Sequence, residues 1–139
     1  MLFKNLVDYE NRESRIDYMQ GGLAGLVAEE LLLGKHDLGC CSDLEKVHSY
    51  AYKLLNRTCI NDVGCYCNDR EIHNPEKRSE YKAKILDKRE INFVRKQYKL
   101  VKRRLRKYKK QISRVANAIM QGNKINNNEL TKLIDVERY

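Results

Sequence analysis

The sequence predicts an all-α fold. Three observations carry that expectation: an apolar seam stepping by three and four residues from Ile91 to Ile119, helix-cap spacings at Ser42 and Asp87, and the lack of any alternating apolar–polar stretch. A length of 139 residues is that of one domain. Apolar residues make up 42% and there is one proline, enough for a modest core with few helix breakers. Residues 1–139 are therefore expected to form a single compact helical domain, with one long basic C-terminal helix packed on the earlier helices.

The first helix is expected from Asn11 to about Leu33, with apolar positions at Ile16, Met19, Leu23, Leu26, Val27, Leu31 and Leu33. Gly21, Gly22 and Gly25 interrupt it. Each costs about 1 kcal/mol of helix propensity relative to Ala, so close packing or a break is expected there. Gly34 is a natural stop. After a short loop over 35–41, Ser42-Asp43-Leu44-Glu45 has capping-box spacing, and Leu44, Val47, Ala51, Leu54 and Leu55 continue a helix to about Asn56. Residues 57–75 read as an irregular connector containing Gly64 and Pro75, and 76–86 as a short helical turn.

The longest helix is expected from Asp87 to Gln121. Ile91, Val94, Tyr98, Val101, Leu105, Tyr108, Ile112, Val115 and Ile119 form a narrow heptad-like seam along it. A helix of that span is roughly 50 Å long. Gly122 ends it, and Ile125 to Val136 can form a terminal helix. Such a seam needs a cover, either this chain's own earlier helices or a second copy in a homo-oligomer. Tyr98 and Tyr108 lie on the seam, which suits core packing better than base stacking.

The net charge of +9 is concentrated in this helix. No acidic residue lies between Glu90 and Glu129, while Arg95, Lys96, Lys99, Lys102, Arg103, Arg104, Arg106, Lys107, Lys109, Lys110 and Arg114 all do, with Lys124 beyond them. The remainder of the chain is slightly acidic. A field of this kind suits an acidic protein surface, a nucleic acid or a ribonucleoprotein, docked along residues 95–114 and weakened by salt. No element resembling a base-reading motif accompanies it. A solvated outer face is the plainer reading.

Apolar runs are far shorter than the roughly 18 residues of a membrane span, and Asp8, Glu10, Glu13 and Asp17 do not fit a signal peptide. Cytoplasm, without a membrane partner, is the expectation. Five cysteines, Cys40, Cys41, Cys59, Cys65 and Cys67, are an odd number and read as thiols. Cys59, Cys65 and Cys67 with His73 could form a metal knuckle, but their spacing is not the Cys-x-x-Cys of structural zinc. Glu29 and Glu30 are adjacent on a helix and point about 100° apart, which suits capping and ion pairing better than shared acid–base chemistry.

Several segments together resemble one family. Leu23 to Gly34, with Ala28-Glu29-Glu30 inside it, is similar to the Gly-Gly-Arg-x-Ala-Glu-Glu-x-x-x-Gly segment of the FtsH-type ATP-dependent zinc metalloproteases. Cys41 to Val47 resembles that family's Asn-Asp helix start, and Ile60-Asn61-Asp62-Val63-Gly64 its Met-Ser-x-x-Leu-Gly segment. The long helix, Ala118-Ile119-Met120 and the stretch Ile125 to Ile134 resemble the family's closing helices. The similarity covers about residues 14–135.

The resemblance implies a zinc site built by two histidines of a His-Glu-x-x-His helix, with the Glu as general base and an Asp at the place of Asp43. This chain departs from it. His36, His48 and His73 include no His-x-x-x-His pair, there is no phosphate-binding loop, and Leu26 and Ser42 stand where the family has Arg and Asn. Asp43 thus matches one ligand position without its partners, and no catalytic residue, metal or cofactor is assigned.

Three readings follow. The first is a non-catalytic binding or regulatory protein on a degenerate peptidase scaffold, such as an inhibitor from a phage or mobile element, docking on a larger complex through the basic helix. The second is a basic helical nucleic-acid or ribonucleoprotein binder. The third is an active metallopeptidase whose missing histidines come from another chain or an upstream segment.

Overall fold

A computed structural model describes residues 12–57, 76, 79–122 and 124–135. Among them every regular element is helical: α1 Arg12–Leu33, a 3-10 turn Leu38–Cys40, α2 Cys41–Arg57, α3 Glu80–Arg106, α4 Lys109–Met120 and α5 Asn127–Asp135. The connector expected before Pro75, together with Cys59, Cys65, Cys67 and His73, lies outside the described residues.

Helices α1, α2 and α3 pack on one another around Met19, Leu23, Leu26 and Val27 of α1, Val47 and Ala51 of α2, and Val94 and Val101 of α3. These residues repeat at three- and four-residue intervals, so each helix turns one apolar stripe inward. The three glycines do not break α1. Gly22 admits Val47 so closely that a Cβ there would meet its Cγ2 at 2.9 Å, whereas Gly21 and Gly25 face open space. Tyr18 stacks on Tyr50 with ring centroids 5.7 Å apart, and His48 Nδ1 lies 2.7 Å from Glu90 Oε1, tying α2 to both neighbours.

One buried polar group sits in this core. Gln97 accepts a hydrogen bond from Gln20 Nε2 at 2.9 Å, and Gln20 Oε1 in turn accepts from Arg104 at 3.0 Å. That chain of amides satisfies the buried oxygen, which would otherwise cost stability.

Two helix starts differ from expectation. Asp37 caps the 3-10 turn by accepting from the Leu38 amide, and the backbone runs from there straight into α2, so Ser42 lies inside the helix rather than at its cap. Ser79, not Asp87, begins α3, its hydroxyl accepting from the Lys82 amide at 3.2 Å. From Glu80 onward, the short turn expected over 76–86 is in fact α3's opening.

The long helix expected over 87–121 is divided. Helix α3 ends at Arg106 and α4 begins at Lys109, with the Lys107 and Tyr108 amides donating to Arg104 and Leu105 carbonyls three residues back. No glycine or proline lies at the break. Charge supplies a reason. A continuous helix would set Arg103 against Lys107 and Arg106 against Lys110 at i, i+4, each pair unfavourable by a few tenths of a kcal/mol. Ending α3 here instead places Arg103, Arg104 and Arg106 in its last turn, where the helix dipole favours cations. Gly34 and Gly122 end α1 and α4 with φ of 72° and 78°, the left-handed conformation glycine adopts without strain.

Candidate functional site

The basic residues occupy the outer faces of α3 and α4. Of the eleven between Arg95 and Arg114, nine are exposed, and Lys102 and Arg114 are half-buried. They fall into two patches. Arg95, Lys96, Lys99 and Arg103 border a shallow depression of about 590 Å³ on α3. Arg106, Lys107, Lys109, Lys110 and Arg114 border a second, of about 740 Å³, across the α3–α4 break with Leu32 at its edge.

Lys102 is turned inward. Its Nζ lies 2.6 Å from Glu30 Oε1 and sits over the Tyr98 ring, 6.0 Å from the centroid. Tyr98 donates its hydroxyl to Glu30 Oε2, and His36 Nε2 lies 3.4 Å from the same hydroxyl. The Lys102 and Tyr98 hydrogen bonds hold the Glu30 carboxyl below its usual range. Burial, reinforced by Glu30, pushes the Tyr98 phenol up to about 12. Glu29, next along, accepts the Asp37 amide at 3.2 Å. Both carboxylates thus fasten the end of α1: one to α3, the other to the following loop.

Asp43 lies in the first turn of α2, half-exposed, with Lys46 Nζ 3.5 Å from its Oδ1. His48 faces Glu90 and His36 faces Glu30. Cys40 is half-buried and Cys41 exposed; burial raises the Cys40 thiol, which disfavours thiolate chemistry. Among the described residues no three His, Cys, Asp or Glu side chains come together to hold a metal ion.

An apolar groove of about 870 Å³ was not anticipated from the sequence. Ala28 and Leu32 of α1, Leu105 of α3, Ile112, Val115 and Ile119 of α4 and Ile134 of α5 line it. Its signal was present as the second half of the seam, but spacing does not say that the first half is covered and the second is not.

A family model described as Peptidase family M41 matches residues 4–133. The chain belongs to this peptidase family. It is 33% identical over 119 residues to an ATP-dependent zinc metalloprotease FtsH of Parabacteroides distasonis, covering 78% of this chain and 17% of that protein. It is 27% identical over 124 residues to ATP-dependent zinc metalloprotease FTSH 9, chloroplastic/mitochondrial, of Oryza sativa, covering 87% and 15%. For ATP-dependent zinc metalloprotease FTSH 10, mitochondrial, of Arabidopsis thaliana, the figures are 25% over 138 residues, 95% and 17%. The chain thus spans about a sixth of the length of these M41 relatives.

Zinc is the metal that the relatives' names imply, and the described residues do not fit it. A tetrahedral site needs at least three convergent nitrogen, sulfur or carboxylate donors. Asp43 offers one carboxylate, already beside an ammonium group. No helix of the described residues is long and apolar enough to cross a membrane.

Proposed function

We propose that this M41-family chain acts by binding rather than by hydrolysis, docking on an acidic surface of a larger protein complex through the basic face of α3 and α4. The observation that carries this reading is the exposure of nine cations along α3, α4 and the break between them, with no acidic residue in the sequence between Glu90 and Glu129. Exposed charges so placed raise the local concentration of an anionic partner and speed its encounter. The division of labour supports it: Lys102 and Arg104 make contacts within the fold, leaving Arg95, Lys96, Lys99, Arg103, Arg106, Lys107, Lys109 and Lys110 facing outward. An inhibitor or regulator carried by a phage or mobile element would use such a surface.

The test compares the native chain with a variant carrying Arg103→Glu, Arg106→Glu, Lys107→Glu and Lys110→Glu, titrated with labelled poly-glutamate and with a duplex oligonucleotide between about 50 and 200 mM salt. Tighter binding of poly-glutamate, lost at least tenfold in the variant and weakening with salt, is expected. Stronger binding of the duplex, with its steeper salt slope, would favour the nucleic-acid reading. Equal affinity of both proteins for both probes would leave the basic face a solvated one.

A further inference from the structure

The apolar seam has a basic counterpart. Lys96, Lys99, Arg103, Arg106 and Lys110 follow one another at steps of three, four, three and four residues, and all five are exposed. We infer that they form a docking row for an acidic helix of a partner protein, one whose carboxylates recur along a single face at the same steps. This rests on the binding reading above and specifies the partner's shape.

The row lies on the side of α3 away from the core, whose inward side is marked by the buried Val94, Gln97 and Val101. Lys96, Lys99 and Arg103 border one depression; Arg106 and Lys110 border the next, across the α3–α4 break. Among the described residues none of the five has a carboxylate within ion-pair distance, whereas Lys102, turned inward, has Glu30. One exposed ion pair contributes little to binding, but several aligned along a row act together.

Spacing decides among anionic partners. At about 1.5 Å of rise per residue the five charges stand about 5 Å apart over roughly 20 Å. A helix with carboxylates at the same steps has the same rise and sets one opposite each cation. An extended acidic tail presents same-face side chains about 6.7 Å apart, and after four steps it is about 6 Å out of register. Duplex phosphates wind in two rows parted by grooves about 12 and 6 Å wide, a path that a straight row of this length does not follow. The row also holds no aromatic side chain on which an unpaired base could stack, since Tyr98 and Tyr108 belong to the apolar seam. A second copy of the chain would set cation against cation.

The experiment uses the full chain and two labelled, Ala-rich helical peptides of equal composition. One carries its Glu residues in a three–four row on one face; the other spreads the same Glu residues around the helix. The row peptide is expected to bind at least tenfold more tightly at about 50 mM salt, with the preference shrinking as salt rises. The triple variant Lys99→Gln, Arg103→Gln, Arg106→Gln should remove that preference. The variant Lys35→Gln, Lys124→Gln, Lys132→Gln loses the same charge outside the row and should keep it. Circular dichroism melts establish that both variants fold, and the two-peptide comparison on the native chain stands without either. Equal binding of the two peptides by the native chain overturns the row but leaves the basic surface standing. Displacement of the row peptide by a lower concentration of duplex oligonucleotide overturns it in favour of a nucleic acid. Failure of both peptides and of poly-glutamate to bind would overturn the broader reading as well.

Discussion

Gly22 lies where α1 meets α2, and the 2.9 Å that a Cβ would leave to Val47 Cγ2 sets its role. Val47 is 1% exposed and β-branched, so it cannot swing aside. Gly22→Ala should therefore lose about 1 kcal/mol of stability, overpacking outweighing the propensity gained. Gly21→Ala and Gly25→Ala, facing open space, should gain roughly 0.5–1 kcal/mol; urea melts of the three compare them directly. Glu30 and Tyr98 give a pH signature. A depressed Glu30 carboxyl contributes stability that is present above its ordinary 4.5 and lost as pH falls through the lower folded value. The raised Tyr98 phenol contributes stability present below 10 and lost as pH climbs towards about 12. Glu30→Gln should flatten the acid limb of the stability profile and Tyr98→Phe the alkaline limb.

Among the helices, α5 has the clearest cap. The Asn126 side chain accepts from the Glu129 amide at 2.9 Å, and Glu129 accepts from the Asn126 amide at 3.0 Å. Asn126→Ala should cost about 1 kcal/mol, and the loss should stay local because α5 packs chiefly on α4. Hydrogen exchange over 127–135 would accelerate while α1 to α3 keep their protection. The same elements show what the sequence could and could not tell. Helical class, the stops at Gly34 and Gly122, and the inward stripes of α1 and α2 were legible because each follows from local spacing or a required left-handed residue. Ser42 misled because Asp37 had already started the turn that leads into α2. Asp87 misled because Ser79 had capped the same helix eight residues earlier. The break at Lys107 and Tyr108 left no trace in periodicity, since the Tyr108 and Ile112 amides bond to Leu105 and Tyr108 and carry the seam's spacing through it.

Across the whole molecule, the well-covered core lies in α1, α2 and α3, and the exposed cations and the groove lie mainly along α3 and α4. The basic residues were legible as composition. The inward turn of Lys102 and the uncovered half of the seam were not, because both depend on what stands opposite in three dimensions. Membership of a peptidase family makes hydrolysis the natural rival to binding. Metal analysis of the purified chain, joined to a casein assay with zinc and with chelator, separates the two. Binding without hydrolysis corresponds to substoichiometric zinc and no chelator-sensitive cleavage. One zinc per chain, with casein turnover abolished by chelator and by Asp43→Ala, would contradict it.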